Sequence, residues 1–297
     1  MNARSWGPTA GPAGPLGTAL ADCATAGFSG VLHVIGAPGG TIYFAQGGVA
    51  AIETPWSPSA EVMLLRSGRI REPDWEAAYA AAAVARGHMR SELLSRSLIG
   101  AGELEAMLRS TLADAMFALA AGFVDTCRAE ATTLEHVLAL EPAADAAWLV
   151  AEARRRMQVL AAFPDPPLGA RERVMAVPGA LRAATMRGGG RDEILALADG
   201  RRTARDLAFA LGHGLYTTLL TIARMRAEGL LAPAAQGAAE PDPRTYRQAS
   251  PSADAGAVSA LPRRHKERLP QPQRSGDPNS RPLPAVLRLL RPRAEGH

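Results

Sequence analysis

The first part of the chain alternates between short apolar runs and glycine-rich gaps. Three runs are rich in β-branched and aromatic residues, at 31–35, 41–45 and 49–52. The gaps between them have the length and composition of turns that join neighbouring antiparallel strands. The pattern predicts a meander of three strands, in which Ile42 and Phe44 share one face and Tyr43 lies on the other.

Beyond residue 57 the apolar positions recur at helical spacing. The predicted helices cover 58–66, 73–87, 88–99, 103–121 and 144–162. The segment 103–121 has the most regular spacing, since Leu104, Leu108 and Leu112 repeat every fourth residue. Residues 124–129 are predicted to return to the sheet as a strand. The fold class that follows is α+β, a small antiparallel sheet packed with several helices.

After the proline-rich break at 164–167, the predicted helices are shorter and glycines separate them. Short helical segments are predicted at 193–198, 203–211 and 215–228, with glycines at the turns between them. Thr203 and Asp206 have the spacing of a capping box, with Asp in place of the usual Glu. Three short helices joined by glycine turns are typical of a helix-turn-helix core, which we predict as a separate domain.

These changes in composition and in apolar spacing predict five segments along the chain. Residues 1–17 are rich in Pro and Gly, and residues 233–297 are rich in Pro, Gln, Ser and Arg. Both segments are predicted to be disordered. Between them we expect an α+β domain at 18–162, a linker at 163–187 and a helix-turn-helix domain at 188–232.

Charge is distributed unevenly along the chain. The net charge is +4, but residues 234–297 carry 11 Arg and Lys against 6 Asp and Glu, which leaves the remainder close to neutral. A near-neutral folded part lacks the broad positive field that drives non-specific DNA binding. The two cysteines are too few for a disulfide scaffold. No secretory signal and no apolar run of about 18 residues is present, so we expect a cytoplasmic protein without a membrane partner.

Two stretches resemble known regulatory modules. The segments 27–34, 40–44 and 47–51 resemble the strands of the PatA-type N-terminal family of bacterial regulatory proteins, and the similarity extends over about 16–162. The segments 194–208 and 220–231 resemble the winged-helix module often found behind such domains. The resemblance implies a role in signalling and gene regulation without catalytic residues. After Leu231 the sequence predicts no wing hairpin.

No motif indicates catalysis or a cofactor. Ser29 precedes a strand instead of following one, and Gly188-Gly189-Gly190 lacks the Lys and the preceding strand of a phosphate-binding loop. The histidines show no paired ligand spacing. We therefore expect no enzyme activity, no cofactor and no metal ion.

Polar and basic residues around the second and third short helices are the DNA-binding candidates, because base and phosphate contacts are made there in helix-turn-helix proteins. They are Arg201, Arg202, Thr203, Arg205, Tyr216, Thr217, Thr218, Arg224 and Arg226. One hypothesis is a transcriptional regulator that combines protein binding with DNA binding. The alternative is an adaptor in a small-GTPase or two-component pathway that contacts proteins only. Helix 103–121 could pack within the domain or across a homodimer.

Overall fold

The computed structural model describes residues 14–85, 88–132, 138–163, 172–180 and 191–234. The expected disorder of 1–13 and of the tail beyond 234 lies outside the described residues, and so does most of the expected linker. We refer to residues 14–163 as the N-terminal part and to residues 172–234 as the C-terminal part.

The N-terminal part contains a four-stranded antiparallel sheet. Its meander consists of β1 (Gly30–Ala37), β2 (Gly40–Ala45) and β3 (Gly48–Glu53), and β4 (Phe123–Glu130) pairs with the free edge of β1. Ile42 and Phe44 are fully buried on one face, whereas Tyr43 on the other is only partly covered. The predicted alternation, and the return of the chain as a fourth strand, are confirmed.

Six helices accompany this sheet among the described residues. They are α1 (Pro15–Thr25), α2 (Ala60–Arg66), α3 (Glu72–Ala85), α4 (Met89–Ser95), α5 (Ala101–Ala120) and α6 (Ala146–Ala161). Helix α5 packs against β3, β4 and α6, and every residue in its second half is buried. Helix α1 was not predicted. It starts inside the segment expected to be disordered, and it buries Leu16, Leu20 and Cys23.

The C-terminal part combines three helices with a small sheet. The helices are α7 (Arg191–Leu197), α8 (Ala204–Leu211) and α9 (Leu215–Ala227), and the strands are β5 (Arg173–Ala176), β6 (Asp199–Thr203) and β7 (Leu231–Pro233). The strands are antiparallel in the order β6-β5-β7. Strand β5 lies in the segment expected to be linker. The predicted capping box is present, because the side chains of Thr203 and Asp206 each accept from the other's backbone N–H.

The two parts contact each other through helices. Helix α8 packs against α2, and α9 packs against α5 and α6, so that all described residues belong to one compact unit. The mixed α+β class is confirmed. The division of the chain into an α+β domain, a linker and a helix-turn-helix domain stays a prediction.

Candidate interaction site

Asp114 is the most deeply buried charged side chain in the described part of the chain. It lies in the apolar half of α5 and is only 3% exposed. The Arg156 guanidinium on α6 donates from Nη1 to Asp114 Oδ1 at 2.8 Å, and the Ser57 hydroxyl donates to Oδ2 at 3.4 Å. Burial raises the pKa of Asp114, although Arg156 acts in the opposite direction. A buried carboxylate is tolerated only with such partners.

The same carboxylate caps the first turn of α9. Gly214 precedes this helix and has no side chain to accept from the free N–H groups of the turn. Asp114 supplies the missing acceptor, because its Oδ1 accepts from the backbone N–H of Tyr216 at 3.1 Å. A negative charge at this end is also favoured by the helix dipole. A Cβ atom on Gly214 would lie 2.8 Å from Asp114 Oδ2, so glycine makes the close approach feasible.

The Tyr216 ring extends this contact into the N-terminal part. It packs edge-on against Phe117 of α5, with the ring centres 5.6 Å apart. The Arg156 guanidinium lies over the same ring, 4.8 Å from its centre. An aromatic pair and a partly desolvated cation–π contact each stabilise by about 1 kcal/mol. We call Asp114, Phe117, Arg156 and Tyr216 the junction cluster.

Glu152 holds Arg156 in position from the solvent side. Its Oε1 accepts from Arg156 Nε at 2.8 Å, and its two oxygens accept from Arg155 at 2.7 Å each. The two hydrogen bonds from Arg155, together with the one from Arg156, lower the pKa of Glu152 to about 2. The side chain of Arg156 is 11% exposed and lies between two carboxylates, so its guanidinium is fixed over Tyr216.

A second contact joins α8 to the N-terminal part. Arg205 Nε donates to the carbonyl oxygen of Pro55 at 2.7 Å, and its guanidinium lies over Phe209, 4.9 Å from the ring centre. Gly212 ends α8 in the left-handed conformation, and a Cβ atom there would lie 2.8 Å from Arg66 Cβ. The turn between α8 and α9 therefore closes against the end of α2.

The structure divides the nine DNA-binding candidates into two groups. Arg201, Thr217 and Arg224 are exposed. The other six are partly or fully covered: Arg202, Thr203, Arg205, Tyr216, Thr218 and Arg226.

Local bonds account for several of the covered candidates. Arg202 Nη1 donates to the Leu197 carbonyl and to the Asp199 carboxylate at 3.0 and 2.9 Å. The Thr218 hydroxyl is 1% exposed and donates to the Gly214 carbonyl at 2.9 Å. Thr203 caps α8 as described above. These side chains, with Arg205 and Tyr216, hold the C-terminal part together or attach it to the N-terminal part.

Sequence patterns did not single out the junction cluster. Asp114 is separated by 42 residues from Arg156 and by 102 residues from Tyr216. Its position in the most apolar helix was a usable signal, because an unpaired charge is not tolerated there.

The described residues form no group of three or more His, Cys, Asp or Glu side chains that could hold a metal ion. None of the helices described here combines the length and apolar character needed to cross a membrane. Comparison with protein-family models, curated proteins and solved structures gave no match for this chain.

Proposed function

We propose that the chain is a regulatory protein that acts as an adaptor, binding other proteins, with its C-terminal part as a fixed element of the adaptor. The observation that carries this proposal is the orientation of α9. In helix-turn-helix proteins, the first turn of the second helix enters the major groove and contacts the bases. Here that turn faces α5 and α6, with Leu215 and Thr218 buried and Tyr216 against Phe117.

The resemblance to the PatA-type N-terminal family supports a signalling role for the N-terminal part. The near-neutral charge of residues 1–233 also favours protein contacts over DNA contacts, because a duplex is bound largely through neutralisation of its phosphates. A small-GTPase or two-component pathway is a setting that the resemblance allows.

A DNA-binding transcriptional regulator is the second candidate. Arg201, Thr217 and Arg224 are exposed in the C-terminal part, and Arg side chains are the commonest phosphate and guanine ligands. Two helices joined by a glycine turn and flanked by β6 and β7 also favour a winged-helix-like module. On this candidate the protein would bind DNA through the remaining exposed surface, or after α9 separates from α5.

Fluorescence anisotropy with a labelled duplex of mixed sequence separates the two candidates. We would compare the full wild-type chain with Arg201→Ala/Arg224→Ala at low and moderate salt. The matched control is Arg96→Ala/Arg109→Ala, which removes the same charge from the N-terminal part. An adaptor should show equal affinity in both variants, because any residual binding then comes from non-specific attraction. A loss of roughly tenfold or more confined to Arg201→Ala/Arg224→Ala would establish DNA binding instead.

A further inference from the structure

Strand β4 forms an edge of the four-stranded sheet. It pairs with β1 and contacts helix α1, and no other described strand pairs with its outer side. Six of its eight residues are exposed. An edge of this length presents unpaired N–H and C=O groups, which are a template for a further strand.

The side chains along this edge are complementary to themselves. Two copies of an edge strand can pair antiparallel about a two-fold axis perpendicular to the sheet. The residue at the axis then faces itself in the second copy, and the residue before it faces the residue after it. An axis through Ala129 puts Arg128 of one copy opposite Glu130 of the second copy, and the symmetry repeats the pair. Opposite charges are favourable across strands.

Other registers lose this complementarity. An axis through Arg128 or Glu130 brings like charges directly opposite each other, and an axis through Asp125 does the same. Axes through Thr126 or Cys127 create no pair of opposite charges. Charge therefore favours a single register for the edge.

The charged side chains of Arg128 and Glu130 on β4 lie on the face of the sheet that points away from the core. Arg128 and Glu130 pair in register with His33 and Val31, on the face opposite to the buried Leu32. They are exposed, so pairing does not require burial of a charge in the core. Strand β4 ends at Glu130, one residue beyond the axis, so the pairing of the described strands comprises residues 128–130 of each copy.

We propose that a second copy of this chain pairs antiparallel along β4, with the two-fold axis at Ala129, so that the two sheets become continuous. Charges on an edge strand normally discourage pairing with foreign strands. Here they exclude strands of other sequence and accept the same strand from a second copy. The pairing is independent of whether the C-terminal part binds protein or DNA.

A charge exchange tests the register. We expect the wild-type chain to dimerise at micromolar concentration in sedimentation equilibrium. Arg128→Glu and Glu130→Arg should each raise the dimer Kd by roughly tenfold, because each puts two like-charge pairs in place of two favourable ones. The double variant Arg128→Glu/Glu130→Arg should restore the wild-type Kd. Thermal unfolding of each variant checks that the loss does not come from misfolding.

A cysteine at the axis gives an independent readout. In a chain with Cys23→Ala and Cys127→Ala, Ala129→Cys would face its own copy at a Cα separation of about 5 Å, which suits a disulfide. The control Thr126→Cys would lie about 20 Å from its copy. Oxidised glutathione should cross-link the first variant rapidly and the second slowly. A wild-type monomer at high micromolar concentration, or equal cross-linking of both variants, would overturn the proposal.

Discussion

Gly214 and Gly100 both precede long helices without side-chain caps, but their surroundings differ. A Cβ atom on Gly214 would lie 2.8 Å from Asp114 Oδ2, whereas a Cβ atom on Gly100 would have no neighbour within 4 Å. Gly214→Ala should therefore lower the free energy of unfolding by about 2 kcal/mol, because the carboxylate must move from its buried position. Urea unfolding followed by circular dichroism measures the change.

Gly100→Ala is the matched control for this substitution. Neither glycine requires a positive φ, so any general cost of alanine at this helix position applies to both. That cost is only a few tenths of a kcal/mol. Equal destabilisation in the two variants would mean that the contact between Gly214 and Asp114 does not exist in solution.

Glu152 gives the junction cluster a pH dependence. The hydrogen bonds from Arg155 and Arg156 lower its pKa from 4.5 to about 2, so its contribution to stability is complete above about pH 5 and is lost as the pH falls through 2. Glu152→Gln should therefore reduce the free energy of unfolding at pH 7 and converge with wild type near pH 2. We expect a difference of about 1 kcal/mol at pH 7, because solvent around the exposed Arg155 screens the interaction.

The measurement is urea unfolding of both proteins between pH 2 and pH 7. Glu105→Gln is the control, because Glu105 forms an exposed pair with Arg109 one helical turn away on α5. Such a pair contributes only about 0.3 kcal/mol. A difference between wild type and Glu152→Gln that stays constant across the range would contradict the assigned role of Glu152.

At the scale of elements, the sequence predicted those that bury a regular apolar stripe. Helix α5 was predicted because its apolar residues recur at helical spacing. The strands β1 to β3 were predicted because their β-branched and aromatic runs are separated by residues typical of turns. Helix α1 was missed because glycine and proline surround its start, although Pro15 lies in the first turn, where proline is favoured. The strand β6 was missed because its sequence, Asp-Gly-Arg-Arg-Thr, is polar. Its structure depends on pairing with β5, which no local pattern reveals.

Element contacts also explain why the candidate site was predicted only in part. Sequence reasoning placed Tyr216 and Thr218 on the correct helix, and their role in DNA contact stays a prediction. It could not show that the first turn of this helix faces α5, because no periodicity links two helices about 100 residues apart. The candidates Arg201 and Arg224 do remain exposed. They are the better probes of DNA binding than Arg202 or Arg205, whose substitution would also disturb the local structure.

For the whole molecule, Asp114 connects the two parts. Asp114→Ala removes the cap of α9 and leaves one side of the buried Arg156 guanidinium without a partner. Loss of one member of a buried ion pair costs about 3 kcal/mol. We expect this loss to be concentrated at the contact between the parts. In hydrogen exchange followed by mass spectrometry, peptides from Leu215–Ala227 should lose protection, while peptides from β1 to β3 keep it.

Asp114→Asn separates the cap from the charge, because its amide oxygen can still accept from the Tyr216 N–H. It should leave α9 more protected than Asp114→Ala does. A uniform loss of protection across both parts would mean that Asp114 supports a single core and not a contact between parts.

The same variants also bear on function. If the protein reads DNA through the first turn of α9, Asp114→Ala should bind a duplex more tightly than wild type despite its lower stability, because the turn is released. For an adaptor, duplex affinity should not change, because base contacts by α9 are not part of its activity.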